Sequence, residues 1–354
     1  MSLTKIVRID PRHIKEDYIH EAARILNSGG LAILPTETVY GVGASMLNQK
    51  AVTRLYEIKK RPQDKPFSVH IARKDKVEEF ARSIPVSAYK LIDKFWPGPL
   101  TVILKSVKGG ATVGLRMPDN EITLKVIDEV HGSIVLPSAN LSGNPPAKDF
   151  EEAIKDLDGL VDFAIDAGET RLGLESSIVD LTKENPDFPR IGAIRKEDLD
   201  REIAKKNVLF ICTGNSCRSV MAEAILKKIM REQKRDDVEV SSAGIMMISG
   251  IGVSSGTKEA LAREGIDVTG HLSHKITKEM ARRSDLILVM EKVHEDAVLR
   301  VAPEVKNRVF LLKEFAKIDD GHLNIADPIG KSSDFYEKTL ASIKEAVERV
   351  SKLI

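Results

Sequence analysis

The sequence VLFICTGNSCRS, residues 208–219, decides the fold of the second half of this 354-residue chain. Its first four residues are a continuous apolar run, which predicts a strand buried on both faces of a parallel sheet. Helical periodicity begins at Ser219 and continues to Arg231, so the residues before it must form a tight loop from strand to helix. Ligands of such sheets bind beyond the carboxyl ends of the strands, where this loop lies.

The loop begins with Cys212 and ends with Arg218, and both residue types suit phosphoryl transfer to sulfur. The nucleophilic form of cysteine is the thiolate, which a helix N-terminus and a nearby arginine stabilise. Gly214 allows successive backbone N–H groups to point inward around an anion, and Arg218 adds a planar pair of donors. Asn215 suits a left-handed backbone position, and Ser219 can donate a hydrogen bond to the thiolate. We therefore predict a phosphate-binding loop whose nucleophile is Cys212.

The rest of this half alternates strands with helices. The predicted strands are Val208–Ile211, Val238–Ser241, Leu286–Met290 and Val309–Leu312. The predicted helices are Ser219–Arg231, Thr257–Glu264 and a last helix with apolar residues at steps of four and three, Tyr336, Leu340, Ile343, Val347, Val350 and Ile354. Ser332, Ser333 and Asp334 supply N-cap chemistry for the last helix. The alternation predicts an α/β fold with a doubly wound, parallel four-stranded sheet and flanking helices.

This half resembles the low-molecular-weight protein tyrosine phosphatase family over about residues 207–354. The shared motifs are the C-x5-R-S loop, Ser241-Ser242-Ala243-Gly244 and Ala326-Asp327-Pro328. The resemblance implies that Cys212 is the nucleophile, that Arg218 holds the phosphoryl oxygens, and that Asp327 protonates the leaving group and then activates water. It implies that no cofactor is needed and that further loop residues surround the phosphate, namely Thr213, Gly214, Asn215, Ser216, Cys217 and Ser219.

Three positions narrow the expected substrate. Ser216 stands where tyrosine-directed members carry a bulky aliphatic residue, and Ile329 and Gly330 stand where they carry aromatic residues. A wall that would stack a phenol ring is therefore missing, and Ser216 can hydrogen-bond a guanidinium. The pattern resembles the arginine-phosphatase branch of the family, so we expect phosphoarginine to be preferred to phosphotyrosine in a phosphoprotein substrate.

The two cysteines of the chain, Cys212 and Cys217, leave other interpretations open. Arsenate reductases of this fold relay a disulfide through additional cysteines, which this sequence lacks. Cys217 can form a reversible disulfide with Cys212 under oxidation, or it can be a packed core residue. A module that only binds phosphoproteins is the non-catalytic alternative, and the presence of Asp327 beside the loop residues disfavours it.

The N-terminal half predicts a mixed, twisted α/β domain. Its helical pattern covers Gln49–Lys60, and its strand candidates are short apolar runs, Leu31–Pro35, Phe67–Ile71, Leu100–Leu104, Ser133–Leu136, Asp162–Ile165 and Ser177–Leu181. Residues 196–206 are densely charged and predict a solvated, helical linker. We therefore divide the chain into a domain over 1–195, a linker over 196–206 and a phosphatase domain over 207–354.

Four clusters in the N-terminal half combine cationic, hydroxyl and glycine residues. The first, residues 35–43 (PTETVYGVG), predicts a strand end that enters a glycine-rich turn. The others are residues 59–70 (KKRPQDKPFSVH), 137–143 (PSANLSG), and 175–177 (ESS) with 190–192 (RIG). Cations neutralise a triphosphate, hydroxyl and amide groups donate to phosphate oxygens, and glycines let the backbone approach closely. No G-x-x-x-x-G-K-[ST] motif occurs, which excludes a P-loop ATPase. Composition alone thus predicts an anion-binding α/β domain.

In this order the clusters resemble the Pro-Thr-Glu-Thr-x-Tyr-Gly, Lys-x-Arg-Pro and Ser-x-Asn motifs of the threonylcarbamoyl-AMP synthase (YrdC-like) family, over residues 15–195. The resemblance implies condensation of L-threonine, bicarbonate and ATP into threonylcarbamoyl-AMP, with Mg²⁺ on the phosphates and the product passed to tRNA-modification machinery. It also implies nucleotide and double-stranded RNA binding. The residues implied around threonine and the carbamate are Thr36, Ser68, His70 and Ser176. Those implied around ATP are Lys59, Arg61, Ser138, Asn140 and Arg190, with Arg116 between the two regions. His70 can instead be a packed core histidine.

Charge and composition limit the alternatives. The net charge of +1, from 54 basic and 53 acidic residues, weighs against a protein whose main task is to bind RNA. A carbamoyl-adenylate domain is the second alternative for this half, but its usual acylphosphatase-like or zinc-finger neighbours are not visible. No apolar run suits a membrane span or a signal peptide, so we expect a cytoplasmic protein without a membrane partner.

Overall fold

The computed structural model describes residues 3–108, 112–246 and 249–354. They form two compact units, and the boundary in sequence falls between Glu202 and Ile203. In the first unit the strands are β1 (Lys5–Arg8), β2 (Leu31–Leu34), β3 (Gly41–Ser45), β4 (Val69–His70), β5 (Leu100–Lys105), β6 (Thr112–Arg116), β7 (Ile134–Val135), β8 (Phe163–Asp166), β9 (Ser177–Asp180) and β10 (Asp187–Arg190). Its helices are α1 (Glu16–Asn27), α2 (Gln49–Lys59), α3 (Val77–Phe80), α4 (Val86–Phe95), α5 (Glu121–Glu129) and α6 (Phe150–Lys155), with a 3-10 helix at Lys74–Lys76. Helix α7 (Lys196–Ala204) spans the boundary in sequence between the two units.

The strands of the first unit form one mixed sheet in the order β1-β8-β2-β3-β7-β4-β6-β5-β9-β10. Strand β2, for example, pairs parallel with β8 and antiparallel with β3. Helix α1 buries Ile19, Ala22, Ala23 and Leu26, whose spacing of three and four puts them on one face. These side chains pack with α5 against β2 and β8. The predicted mixed α/β fold is confirmed.

One interpretation of the first cluster was wrong. The sequence predicts a glycine-rich turn at residues 41–43, but Gly41–Ser45 is the fully buried strand β3, which pairs with β2. Glycine is needed here for close packing, because a Cβ atom on Gly41 would lie 2.7 Å from Cγ of Leu136.

In the second unit the strands are β11 (Lys206–Cys212), β12 (Val238–Gly244), β13 (Leu286–Val289) and β14 (Val309–Leu311). Its helices are α8 (Arg218–Glu232), α9 (Ser255–Arg263), α10 (Lys278–Arg283), α11 (Lys292–Val301), α12 (Leu312–Phe315) and α13 (Ser333–Val350), with a 3-10 helix at Pro303–Arg308. Helix α13 buries the apolar residues that its spacing predicts from Tyr336 to Val350. Ser332 is its N-cap residue, but the predicted side-chain capping bond is not formed.

The four strands of the second unit are all parallel, in the order β12-β11-β13-β14. Alternate residues of β11 face opposite helical layers. Val208 and Phe210 pack with α8 and α13, whereas Leu209 and Ile211 pack with α10 and α11. The chain crosses in opposite directions on either side of β11, so the end of this strand is the point where ligands of such sheets bind. The predicted doubly wound sheet is confirmed.

The charged segment 196–206 is not a wholly solvated linker. Helix α7 buries Leu199 and Glu202, and β11 already begins at Lys206. The sequence did not predict this burial, because most residues of the helix are charged and Leu199 is the single apolar residue among the two that are buried. The domain boundaries at residues 195 and 207 stay a prediction.

Candidate active sites

The sulfur of Cys212 lies at the carboxyl end of β11, where the chain turns into α8. The side chain is buried, and Sγ lies 3.0 Å from Oγ of Ser219 on the first turn of the helix. Nδ2 of Asn215 donates to the same serine oxygen at 3.0 Å. Because this oxygen accepts from Asn215, its own hydrogen can be donated to the sulfur. This hydrogen bond and the helix N-terminus both favour the thiolate.

Asn215 braces the loop from inside. Its φ of 52° is left-handed, as the sequence predicts for this position. Nδ2 also donates to Oγ of Ser242 at 2.7 Å, and Oδ1 accepts from the backbone N–H of His274 at 2.9 Å. Gly244 lies against the loop, since a Cβ atom there would be 2.8 Å from the carbonyl oxygen of Thr213. Asn215 and Ser219 thus support the loop without lining its cavity.

The guanidinium of Arg218 is held on several sides and is only 1% exposed. One terminal nitrogen donates to Oγ1 of Thr213 at 3.0 Å and to Oδ2 of Asp327 at 2.5 Å. The other donates to Glu291 and to the carbonyl oxygen of Ile325, the latter at 2.8 Å. These contacts use all four terminal N–H groups, whereas Nε has no partner among the described residues. A bound anion can accept from Nε and, in place of Asp327, from the terminal nitrogen that pairs with that carboxylate, and the fixed guanidinium loses little conformational freedom on binding.

These groups border a cavity of about 250 Å³ whose walls include Cys212, Arg218 and Asp327. The side chain of Asp327 is one third exposed, and its Oδ1 accepts from the backbone N–H of Ile329 at 3.1 Å. A nucleophile, a cation and a carboxyl group therefore face one volume. This set can perform attack on a tetrahedral anion with proton transfer to the leaving group.

Glu291 and His294 belong to the site, and the sequence reasoning missed both. Nδ1 of His294 accepts from the backbone N–H of Glu291 at 3.0 Å, so Nε2 carries the hydrogen and donates to Oγ1 of Thr213 at 2.9 Å. Burial, with a smaller contribution from the charge of Arg218, lowers the pKa of His294 to about 4. Glu291 follows β13 by two residues and His294 lies in the first turn of α11, so their position after the carboxyl end of a strand beside β11 was the available signal.

The mouth of this cavity is aliphatic. Met246, Ile251 and Ile329 line it and are 45%, 51% and 56% exposed. None of the described residues on its walls is aromatic. Ser216 lines the cavity too, as the sequence predicts.

Cys217 is a free thiol on the wall of the same cavity, as is Cys212. Its sulfur lies 3.1 Å from Oγ of Ser254 and 4.0 Å from the hydroxyl of Tyr336. The side chain is packed and lines the same cavity as the nucleophile, so its redox role stays a prediction.

The ten residues predicted for the N-terminal half line two adjoining cavities of about 220 and 270 Å³. The first contains Thr36, Arg61, Ser68, His70, Arg116, Ser138, Ser176 and Arg190, and the second contains Lys59, Arg61, Ser138 and Asn140. Both cavities share Arg61, Ser138 and Glu175. The central strands β4, β6, β5 and β9 are neighbours in the sheet, which brings distant clusters together.

Arg116 forms a buried ion pair beneath the first cavity. Its terminal nitrogen lies 2.7 Å from Oε1 of Glu37 and 2.7 Å from Oγ1 of Thr38. The side chains of Arg116 and Glu37 are only 7% and 1% exposed. Burial and this guanidinium lower the pKa of His70 to about 3, so its imidazole is neutral. His70 is therefore buried and also lines the cavity.

Lys59 connects the second and third clusters. Its ammonium donates to the carbonyl oxygens of Ser138 and Asn140, each at 2.5 Å. Burial lowers the pKa of Lys59 to about 8, and nearby Arg61 contributes to this. The lysine thereby fixes the backbone of the Ser-x-Asn loop and has one donor left.

Arg190 is fixed on the fourth cluster. Its guanidinium pairs with Glu175, and it donates to the carbonyl oxygen of Ser176 at 2.8 Å and to Oγ of Ser176 at 3.0 Å. The hydroxyl of Thr101 lies 2.9 Å from the same serine Oγ. Glu37 and Glu175 lie within the sequence clusters, but the motifs do not predict them as site residues.

Comparison with known proteins matches both units. A protein-family model for Sua5, YciO and YrdC, described as telomere recombination, covers residues 24–192, and the low molecular weight phosphotyrosine protein phosphatase model covers 207–354. The threonylcarbamoyl-AMP synthase of Pyrococcus abyssi is 40% identical over 228 residues, 62% of this chain and 67% of that protein. The protein-arginine-phosphatase of Bacillus subtilis is 33% identical over 146 residues, 41% of this chain and 95% of its own length.

The chain therefore belongs to both families. Both are enzyme families, threonylcarbamoyl-AMP synthases and low-molecular-weight phosphatases, so the predicted fusion of two enzymes is confirmed. The crystal structure of Pyrococcus abyssi Sua5 complexed with L-threonine is similar, with a TM-score of 0.53 and 25% identity over 97% of this chain and 98% of that one. Among the residues that the structure describes, no helix combines the length and apolarity needed to span a membrane.

Proposed function

We propose that the first unit condenses L-threonine, bicarbonate and ATP into threonylcarbamoyl-AMP, which tRNA-modification machinery then uses. The observation that carries this is the pair of adjoining cavities, onto which all four sequence clusters converge. Thr36, Ser68, His70 and Ser176 would surround threonine and the carbamate. Lys59, Arg61, Ser138, Asn140 and Arg190 would hold ATP, and Arg116 would lie between the two regions. The relatives named above support the substrates.

Catalysis in this unit would come from positioning and charge neutralisation. Arg61 lines both cavities, so it can contact both the carbamate and the ATP phosphate that the carbamate attacks. Magnesium would arrive on the triphosphate, because the described residues contain no cluster of three metal-binding side chains. When bound it would neutralise phosphate charge.

Pyrophosphate release tests this proposal. The full chain should release pyrophosphate from ATP only when L-threonine and bicarbonate are both present, and Arg116→Met should lower the rate by at least tenfold. Release with carbamoyl phosphate in place of threonine and bicarbonate would instead identify a carbamoyl-adenylate domain. Salt-sensitive RNA binding without any threonine-dependent turnover would favour the RNA-binding alternative.

For the second unit we propose hydrolysis of protein phosphoarginine or phosphotyrosine through a cysteinyl-phosphate. The sulfur of Cys212 attacks phosphorus while Asp327 gives its proton to the leaving nitrogen or oxygen. Water, deprotonated by the same carboxylate, then releases phosphate from sulfur. The arrangement of Cys212, Ser219, Arg218 and Asp327 around one cavity carries this proposal.

We propose phosphoarginine as the preferred substrate. The aliphatic mouth suits the methylene stem of arginine, and Ser216 offers a hydroxyl near the phosphate loop. The named protein-arginine-phosphatase relative supports this choice. We expect kcat/KM for a phosphoarginine peptide to exceed that for the matching phosphotyrosine peptide, with Cys212→Ser inactive on both. Ser216→Val should reduce the preference, and the reverse ranking in the wild-type protein would contradict it.

A further inference from the structure

Glu175 has an unusual position among the residues around the two N-terminal cavities. In the described part of the chain it is the one acidic side chain on the walls of either cavity, and it lines both. The first cavity also carries three guanidinium groups, from Arg61, Arg116 and Arg190. Glu37 neutralises Arg116 but does not line the cavity. The walls therefore present several positive charges and one negative charge to a ligand.

The backbone around Glu175 is fixed by its contact with the segment at 190–194. Its carbonyl oxygen accepts from the N–H of Ala193 at 2.9 Å. A Cβ atom on Gly192 would lie 2.1 Å from that oxygen, so only glycine permits this approach. Oγ of Ser177 accepts from the N–H groups of Gly192 at 2.9 Å and Ile194 at 3.0 Å. The carboxylate is thus presented from a rigid support.

One half of the carboxylate remains available to a ligand. Oε1 of Glu175 pairs with Arg190, whereas Oε2 makes no hydrogen bond to any residue in the described ranges. The side chain is 36% exposed, so a ligand in either cavity can reach it.

We propose that Glu175 binds the ammonium group of L-threonine and makes the first unit selective for α-amino acids over hydroxy acids. This rests on the proposed synthase function. An α-amino acid carries a carboxylate, which a guanidinium binds, and an ammonium, which three nearby guanidiniums would repel. The neutral His70 and the hydroxyl groups offset no positive charge, so the carboxylate of Glu175 alone can do so by a charge-assisted hydrogen bond.

Binding of two ligands to the full chain tests this selectivity. Calorimetric titration would compare L-threonine with 2,3-dihydroxybutanoate of the same configuration, in which a hydroxyl replaces the ammonium. Glu175→Gln keeps the side-chain shape and removes the charge. We expect this variant to bind threonine about tenfold more weakly, with little change for the hydroxy acid. Glu37→Gln is the matched control, because Glu37 also pairs with an arginine but does not line the cavity. This variant should weaken the binding of both ligands by the same factor.

The outcomes separate this inference from the proposed function. Wild-type protein that binds neither L-threonine nor its analogue would contradict the proposed function itself. Threonine binding that is equal in wild type and Glu175→Gln, or a loss of the same factor for both ligands, would overturn only the role of Glu175. In a separate titration with magnesium-ATP, a loss in Glu175→Gln that is confined to this ligand would assign the carboxylate to the metal and also overturn the inference.

Discussion

Removal of the carboxylate of Glu37 is expected to destabilise the first unit strongly. Glu37→Ala leaves the guanidinium of Arg116 in a site where its side chain is only 7% exposed. Loss of one partner from a buried ion pair costs about 3–5 kcal/mol. Arg116 keeps its hydrogen bond to Oγ1 of Thr38, which partly compensates its charge. We therefore expect the lower end of that range, about 3 kcal/mol, and about half of it for Glu37→Gln.

Urea unfolding followed by tryptophan fluorescence measures this loss. Trp96 is the single tryptophan of the chain, and it is buried in the first unit, so its signal reports that unit alone. The control is Glu79→Gln, because Glu79 forms an ion pair of 2.6 Å with Lys76 while both side chains are well exposed. Exposed pairs contribute little, so this variant should stay within about 0.5 kcal/mol of wild type.

A double variant checks the cause. Glu37→Gln combined with Arg116→Met removes both charges, so its loss should be smaller than the sum of the two single losses, with a coupling of about 1–3 kcal/mol. A free energy of unfolding for Glu37→Ala within 0.5 kcal/mol of wild type would refute the reasoning.

Three further predictions concern the second unit. Asp327→Asn should lower kcat/KM, which reports attack on phosphorus, about 10²- to 10⁴-fold for a leaving group that needs a proton and far less for 4-nitrophenyl phosphate. Equal losses of kcat/KM on both substrates would exclude Asp327 as the acid. Asn215→Ala removes the hydrogen bonds to Ser219, Ser242 and the backbone of His274. Because Ser219 is then no longer oriented toward the thiolate, iodoacetate should alkylate Cys212 about tenfold more slowly at fixed pH. An unchanged rate would show that Asn215 does not support the thiolate. The pKa of His294 is lowered to about 4, so between about 6.5 and 4 the unfolded chain binds a proton that the folded unit does not. Stability should therefore fall as pH falls through this window, and hydrogen exchange in α13 at pH 7 and 5 should change more in wild type than in His294→Gln.

The sequence reasoning succeeded where the chemistry lies in one short segment. The loop at 212–219 joins a strand and a helix that are adjacent in sequence, so its residues meet whatever the rest of the chain does. The left-handed Asn215 and the hydrogen bond from Ser219 to the sulfur followed from that local geometry. The N-terminal clusters were found as motifs, but their convergence on two cavities depended on strand order, since β4, β6, β5 and β9 are neighbours despite their sequence order.

Two predictions from the sequence were wrong, because the residue types in those segments did not reflect their burial. The glycines of β3 were interpreted as a turn because glycine usually breaks strands, whereas here they admit the side chain of Leu136. The charged segment before β11 was interpreted as solvated, although Leu199 anchors it in the fold. Leu136 is far from Gly41 in the sequence, so no local pattern predicts their contact.

By itself the sequence determined the two enzyme families, the α/β class of each half, and the loop that carries Cys212, Arg218 and Ser219. Only the tertiary structure decided which carboxylates meet the arginines. Glu291 and Asp327 reach Arg218 from 73 and 109 residues away, and Glu37 reaches Arg116 from 79 residues away. The physical reason is that a buried charge must find an opposite partner wherever the fold brings one near, and chain distance does not limit that choice.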